Sequence, residues 1–252
     1  MAKEVAKGGK VYVDGFDLTT EHTNIELALA QEAVESNCMQ SDGAGTAKFM
    51  QEFELGLKSF QLTHSGYEVA GAGEIGTVTA DRFGVAGTIF TVTGALGVEG
   101  DPAYSGYATN YQYQEIDGSV GGMAGYAAAG SGQGTPCFRG LILGTGTKST
   151  TGNGGIYQLG AIASGTNALY AALHVVGATG SDLTFDVDLY SDADVGFASP
   201  TLRASFTQVA AANASEIISL ATTVTDTWWR ATWTVSADDT FTIALNAGII
   251  TV

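Results

Sequence analysis

The side chains with most chemistry to offer are three histidines, two cysteines and a run of aspartates, and their spacing assembles none of them into a catalyst. His22, His64 and His174 stand far apart in sequence, two of them within alternating strand-like text, where a partly buried, hydrogen-bonded imidazole is the ordinary state. Cys38 and Cys137 have no metal-ligand spacing and form no disulfide framework. The serines lack a G-x-S-x-G setting, and neither HExxH nor a phosphate-binding glycine loop occurs. The expectation is no catalytic residue, no cofactor and no metal. The carboxylates of Asp186, Asp188, Asp192 and Asp194 have the oxygen chemistry for calcium, but the glycine and closing glutamate of an EF-hand loop are missing. Asp186 and Asp188 alternate with Phe185, Val187 and Leu189, so a solvated strand face accounts for them.

Aromatic side chains give a second set of candidates. In the stretch Trp228–Val235, period-two alternation puts Trp229, Ala231 and Trp233 on one face and Trp228, Arg230 and Thr232 on the other. The first face is expected in a core. Trp228 beside Arg230 is a candidate surface stacking site for a sugar or a neighbouring subunit. Tyr104, Tyr107, Tyr111 and Tyr113 cluster similarly, and strand packing with a wet phenol tip is their simplest reading.

The elements that position these residues read as strands. Val11-Tyr12-Val13, Asp14-Gly15 and Phe16 form a strand, a tight turn and a return, because Asp-Gly tolerates positive φ. Helix formers are common in Thr20–Glu35, yet Ile25, Leu27 and Leu29 alternate with Asn24, Glu26 and Ala28, which favours a strand. Phe53–Tyr67 alternates too, and its apolar parity switches near Lys58-Ser59, which calls for a twist or bulge. With the polar loop Ser41–Thr46 between them, these two strands make a long hairpin. Glu74–Ala80 and Thr88–Thr93 read as further short strands, and six more follow between Leu169 and Ile250 at the spacing of a β-sandwich. Thr145–Gly155, built of Gly, Thr, Ser, Asn and one Lys, has the composition of a linker. It divides the chain into residues 1–150, a β-barrel or sandwich domain, and residues 151–252, a second β-sandwich domain; the fold class is all-β.

Composition agrees. Thirty-five glycines, three prolines and 14% charged residues in a 252-residue chain suit many short strands and turns. Net charge is −16, with 17 acidic against 8 basic residues in 1–150 and 9 against 2 in 151–252. Gripping nucleic acid needs clustered Lys and Arg to displace counterions, and no such cluster exists. The first ten residues hold Lys3, Lys7 and Lys10 with Gly8-Gly9, and read as a flexible arm without a signal sequence. No run of about 18 apolar residues is present, so no membrane partner is expected, and the chain reads as a soluble product made in the cytoplasm.

The order of parts resembles the tail tube (major tail) proteins of long-tailed bacteriophages. VYVDGFDLTTE (Val11–Glu21), the strand NIELAL (Asn24–Leu29), the loop SDGAGTAKFM (Ser41–Met50) and ELGLKSFQLTHSGY (Glu54–Tyr67) follow one another as in that family. DLTFDVDLYSDAD (Asp182–Asp194) and TWWRATWTV (Thr227–Val235) are similar to the paired strands of an extra β-domain that some members carry, while Ala70–Gly134 has no strand-for-strand counterpart. The resemblance implies a virion protein that forms hexameric rings stacked into a tube alongside other tail proteins, with DNA passing through unbound. It implies a ring-bridging loop at Glu35–Met50 and an N-terminal arm at Met1–Lys10, with Lys3, Lys7, Lys10, Asp42, Lys48 and Lys58 at inter-ring contacts. A channel for DNA should repel or ignore a polyanion, which nominates Glu52, Glu54, Glu74 and Glu115, as carboxylates on strand faces, for the lumen. A capsid decoration protein and a glycan-binding β-sandwich on the virion surface are the alternatives.

Overall fold

The computed structural model describes residues 8–41, 47–67, 71–108, 110–117, 125–133 and 137–251; for 31–41, 47–58 and most of 110–117 the backbone alone is considered. In chain order the elements are β1 (Val11–Val13), β2 (Phe16–Asp17), a 3-10 turn (Thr19–Glu21), β3 (His22–Ser41), β4 (Ala47–Tyr67), α1 (Ile75–Arg82), β5 (Thr88–Thr93) and β6 (Pro102–Ala108). There follow β7 (Asn110–Asp117), β8 (Gly125–Gln133), β9 (Phe138–Lys148), β10 (Gly152–Asn153), β11 (Tyr157–Gln158) and β12 (Asn167–Thr179). The chain closes with β13 (Phe185–Asp192), β14 (Thr201–Ser205), β15 (Ala214–Leu220), β16 (Trp228–Val235) and β17 (Thr240–Thr251). The all-β expectation holds.

An eight-stranded antiparallel sheet, ordered β15-β12-β17-β9-β6-β5-β1-β2, is the spine. A five-stranded sheet, β10-β16-β13-β14 with β11 also on β16, covers one part of it, and a four-stranded sheet, β3-β4-β8-β7, covers another. Between the spine and the five-stranded sheet lies a core of Leu143, Leu173, Phe185, Trp229, Phe241 and Leu245, among others. Between the spine, α1 and the four-stranded sheet lies a second, with Val11, Val13, Phe60, Leu62, Ile75 and Phe90. Trp229, Ala231 and Trp233 are buried as their parity required, while Trp228, Arg230 and Thr232 are half-buried.

The spine corrects the division at residue 150. β17 pairs with β9 from Phe241↔Lys148 to Ala247↔Leu141, so one hydrogen-bonded sheet runs through both proposed domains. The supposed linker is pinned throughout. Thr145–Lys148 lies in β9, Gly154 N–H donates to Ala231 O at 2.9 Å, Trp233 Nε1–H to Thr150 O at 3.1 Å, and Gly155 N–H to Glu99 Oε2 at 3.1 Å. A Cβ on Gly154 would stand 2.1 Å from Leu143 O, so the glycine that looked like flexibility serves close packing.

Two local expectations also change. Glu74–Ala80 is not a strand: Ile75 to Arg82 form α1, whose buried Ile75, Val78 and Thr79 follow helical spacing, and the Thr79 hydroxyl donates to Ile75 O at 2.5 Å. Its β-branched residues suit a strand by propensity, and the three-to-four spacing of buried positions overrides that preference. Lys10 is not part of a loose arm either, since its N–H donates to Thr93 Oγ1 and its carbonyl accepts from Thr93 N–H, both at 2.9 Å.

The Asp14-Gly15 turn matches its reading. Val13 pairs with Phe16 across a two-residue loop, and both loop residues have positive φ, 46° and 82°, as a type I′ turn requires.

Candidate functional site

β3 and β4 form a hairpin whose two ends differ. Near its base the ladder runs from Asn24↔Ser65 to Ala30↔Ser59, and here β4 also pairs with β8, from Ser59↔Gln133 to Tyr67↔Gly125. Beyond Gln31↔Lys58 the ladder continues to Ser41↔Ala47, and among the described residues each strand there has only the other as partner. The ten residue steps from Gln31 to Ser41 at about 3.3 Å carry this two-stranded ribbon roughly 33 Å past the sheet. Glu35–Ser41 and Ala47–Met50, expected in a loop, are therefore strand. The bulge expected near Lys58 is present: Gln31 pairs with Lys58 but Ala33 with Leu55, so β4 carries one extra residue.

The four-stranded sheet has one apolar and one wet face. Phe60, Leu62 and His64 are buried toward the core, with Ile25 and Leu27 beside them in register. The other face carries Asn24, Glu26, Ala28, Gln61, Thr63, Ser65, Ala127, Ala129, Ser131, Gln112 and Gln114, each exposed or half-exposed. Among the described side chains there, Glu26 is the one charged group. The outer edges of β3 and β7 have no ladder partner among the described residues.

The hairpin's root holds two histidines that the sequence set far apart. The Leu18 carbonyl accepts from His22 Nδ1–H, which leaves His22 Nε2 to accept from His64 Nδ1–H at 2.9 Å. Burial holds His64 in its neutral form, down to about 3 with His22 adding to the shift, and lowers His22 against the opposing pull of Leu18 O and Asp17. Forty-two positions separate the two rings, and the β3–β4 register closes that distance. Periodicity alone does not reveal such a pair.

A second buried polar chain crosses the concave side of the spine. Gly15 N–H donates to His174 Nδ1 at 3.2 Å, His174 Nε2–H to Thr91 Oγ1 at 2.9 Å, and Thr91 and Asn246 both reach Ser105 Oγ at 2.7 Å. His174 is fully buried and stacks on Tyr12, and burial pushes it down to about 3.

The other sequence candidates scatter. Lys3, Lys7 and Asp42 lie outside the described residues. Lys48 and Lys58 sit on the ribbon opposite Gln40 and Gln31, with Glu52 and Glu54 between them opposite Ser36 and Val34. Glu115 is on β7 opposite Tyr126. Glu74 occupies the N-cap position of α1, not a strand face. Arg230 stacks on Phe197 at 4.4 Å, and across the strands it faces Tyr190, while Trp228 pairs with Asp192. Asp192 and Asp194 spend their carboxylates on N–H groups of Asp194, Ser199 and Gly196, and Asp186 on Gln208. Among the described residues no group of three or more His, Cys, Asp or Glu is placed to hold a metal ion.

No protein-family model and no curated protein matches the sequence. Among solved structures, the fold is similar to a chain from the virion of a native gene transfer agent particle, with 16% identity over 54% of this chain and 99% of that one, at a TM-score of 0.36. A chain from the tail of an empty gene transfer agent particle, refined with C6 symmetry, gives 16% identity over 55% and 99% at 0.35. The Dit (gp 19.1) protein of phage SPP1, described as a hub of the adsorption apparatus in phages infecting Gram-positive hosts, gives 11% identity over 97% and 100% at 0.35. At these scores the likenesses carry no argument about what this chain does.

Proposed function

We propose that this chain is a structural subunit of a phage-type tail tube, a virion protein without enzymatic activity that self-assembles into stacked rings around a channel for DNA. The observation that carries it is the β3–β4 ribbon. A lone two-stranded ribbon is at best marginally stable in water, so one that reaches past its sheet gains its order from another molecule. The order of segments in residues 11–67 supports the same reading through its resemblance to tail tube proteins.

The four-stranded sheet supplies the wall. Its two open edges, β3 and β7, let copies join side by side into a closed barrel, which removes the aggregation hazard of an unpaired edge. Its wet face, of amides, hydroxyls and alanines with Glu26 as its one described charge, carries no cation to hold a polyanion among the described side chains. The lumen on this face thus carries Glu26 and no Lys or Arg among the described side chains, and Glu52 and Glu54 belong to the ribbon that bridges rings, with Lys48 and Lys58.

The test is to remove the ribbon while sparing the sheet, by replacing residues 32–57 with Asn-Gly between the paired Gln31 and Lys58. The shortened chain should stay folded by circular dichroism and stop at single rings or smaller species by sedimentation, because the sheet edges that join copies side by side are spared. If it still forms tubes, the ribbon is not the bridging element.

A further inference from the structure

The outer face of the five-stranded sheet holds a guanidinium that the fold leaves unanswered. Arg82, Lys148 and Arg203 each meet a carboxylate, of Asp14, Glu99 and Asp226, at 2.6, 3.4 and 2.8 Å. Arg230 is half-buried and meets none among the described residues, and its Nε–H is buried without an acceptor. An unpaired buried donor is a cost that calls for a reason.

The loop 193–199 fixes this guanidinium in place. Asp192 accepts from Asp194 N–H at 3.0 Å and from Ser199 N–H at 2.8 Å, and Asp194 O accepts from Phe197 N–H at 3.0 Å. These bonds hold Phe197, 7% exposed, at a φ of 52°, a conformation that bulky side chains seldom adopt. Its ring lies 4.4 Å from Arg230 Cζ, so an aromatic ring orients the guanidinium while taking none of its N–H donors. Asp192, the carboxylate on the facing strand, is spent on building the loop instead of pairing with Arg230.

The β13–β16 register surrounds Arg230 with the groups a sugar uses. Half-buried Tyr190 stands directly opposite it, half-buried Asp188 follows on the same face of β13, and Trp228 lies about 7 Å along β16. A polyhydroxylated ring stacks its C–H face on an indole, and its hydroxyls both accept from a guanidinium and donate to a carboxylate. An anion would meet Asp186 and Asp188 beside Arg230, on a chain of net charge −16, so the matching ligand is uncharged.

We propose that Trp228, Arg230, Tyr190 and Asp188 form a binding site for a neutral glycan. The site stands apart from the tube reading, since one copy supplies all of it.

The test is titration of the full-length protein with maltohexaose, cellohexaose and mannohexaose, and with hexagalacturonate as the anionic counterpart, followed by calorimetry and tryptophan emission. Saturable binding of at least one neutral hexasaccharide is expected, with a change in emission, and none of hexagalacturonate. Trp228→Ala and Arg230→Lys should each weaken it roughly tenfold, and Tyr190→Phe by less. Amide NMR dispersion checks that each variant folds; if Trp228→Ala does not, Asp188→Asn and Tyr190→Phe ask the same question with almost no change of shape. No saturable binding of any neutral probe, equal affinity in folded variants and parent, or preference for hexagalacturonate overturns the site. Loss of self-assembly in Arg230→Lys with no glycan bound by the parent also overturns it, and makes this face a contact between copies.

Discussion

His174 on β12 and Thr91 on β5 share a hydrogen bond of 2.9 Å although three strands, β17, β9 and β6, stand between theirs in the same sheet. At about 4.8 Å per strand, a flat sheet would hold them near 19 Å apart. The contact therefore measures the curl of the spine. The curl in turn seats the Gly15 turn against β15, where a Cβ on Gly15 would lie 2.5 Å from Asn213 C.

Replacing His174 with Leu should destabilise the fold by about 2–3 kcal/mol, because Gly15 N–H loses its buried acceptor and the Thr91–Ser105–Asn246 chain loses its donor. Urea denaturation checks this. An unchanged midpoint would mean that the network does not hold the curl.

Acid should weaken the fold in a defined window. His64 and His174 have folded pKa values near 3 against 6.5 for a free histidine, so between those limits the unfolded chain binds more protons than the folded one. Their contribution is fully present above pH 6.5 and is lost as pH falls toward 3. By pH 5 each should cost about 2 kcal/mol, at about 1.4 kcal/mol per pKa unit. Denaturation curves at pH 7 and 5 should show this, and His174→Leu should flatten the slope by its share. Equal stability at both pH values would contradict it.

Residues 156–252 expressed alone should not fold. Without β9, β17 loses one ladder, Leu143 leaves the core, and Trp233 Nε1–H loses Thr150 O. Collapsed amide dispersion by NMR is expected. A well-dispersed spectrum would restore the boundary at residue 150.

Much of this fold was legible because alternation and turn chemistry are local. The Val13↔Phe16 turn, the strand choice for Thr20–Glu35 (a strand from His22, after the 3-10 turn Thr19–Glu21), the bulge near Lys58 and the sidedness of β16 all follow from neighbours within a few residues. Sheet membership is not local. The strands of 167–251 were visible one by one, but that β12, β15 and β17 join β9 instead of closing their own sandwich is decided by long-range pairing. Gly and Thr around 145–155 also have two uses, slack chain and close packing, and composition cannot separate them. For the site, the hairpin is visible, whereas the His22–His64 pair and the wet face without a cation depend on register between strands.

The proposed function requires that the chain by itself assemble into a tube. Negative-stain electron microscopy of the purified full-length protein, at rising concentration, tests it most directly. Open-ended tubes of one diameter with a regular axial repeat and a stain-filled channel are expected; discrete particles of fixed size at every concentration would contradict the tube assignment.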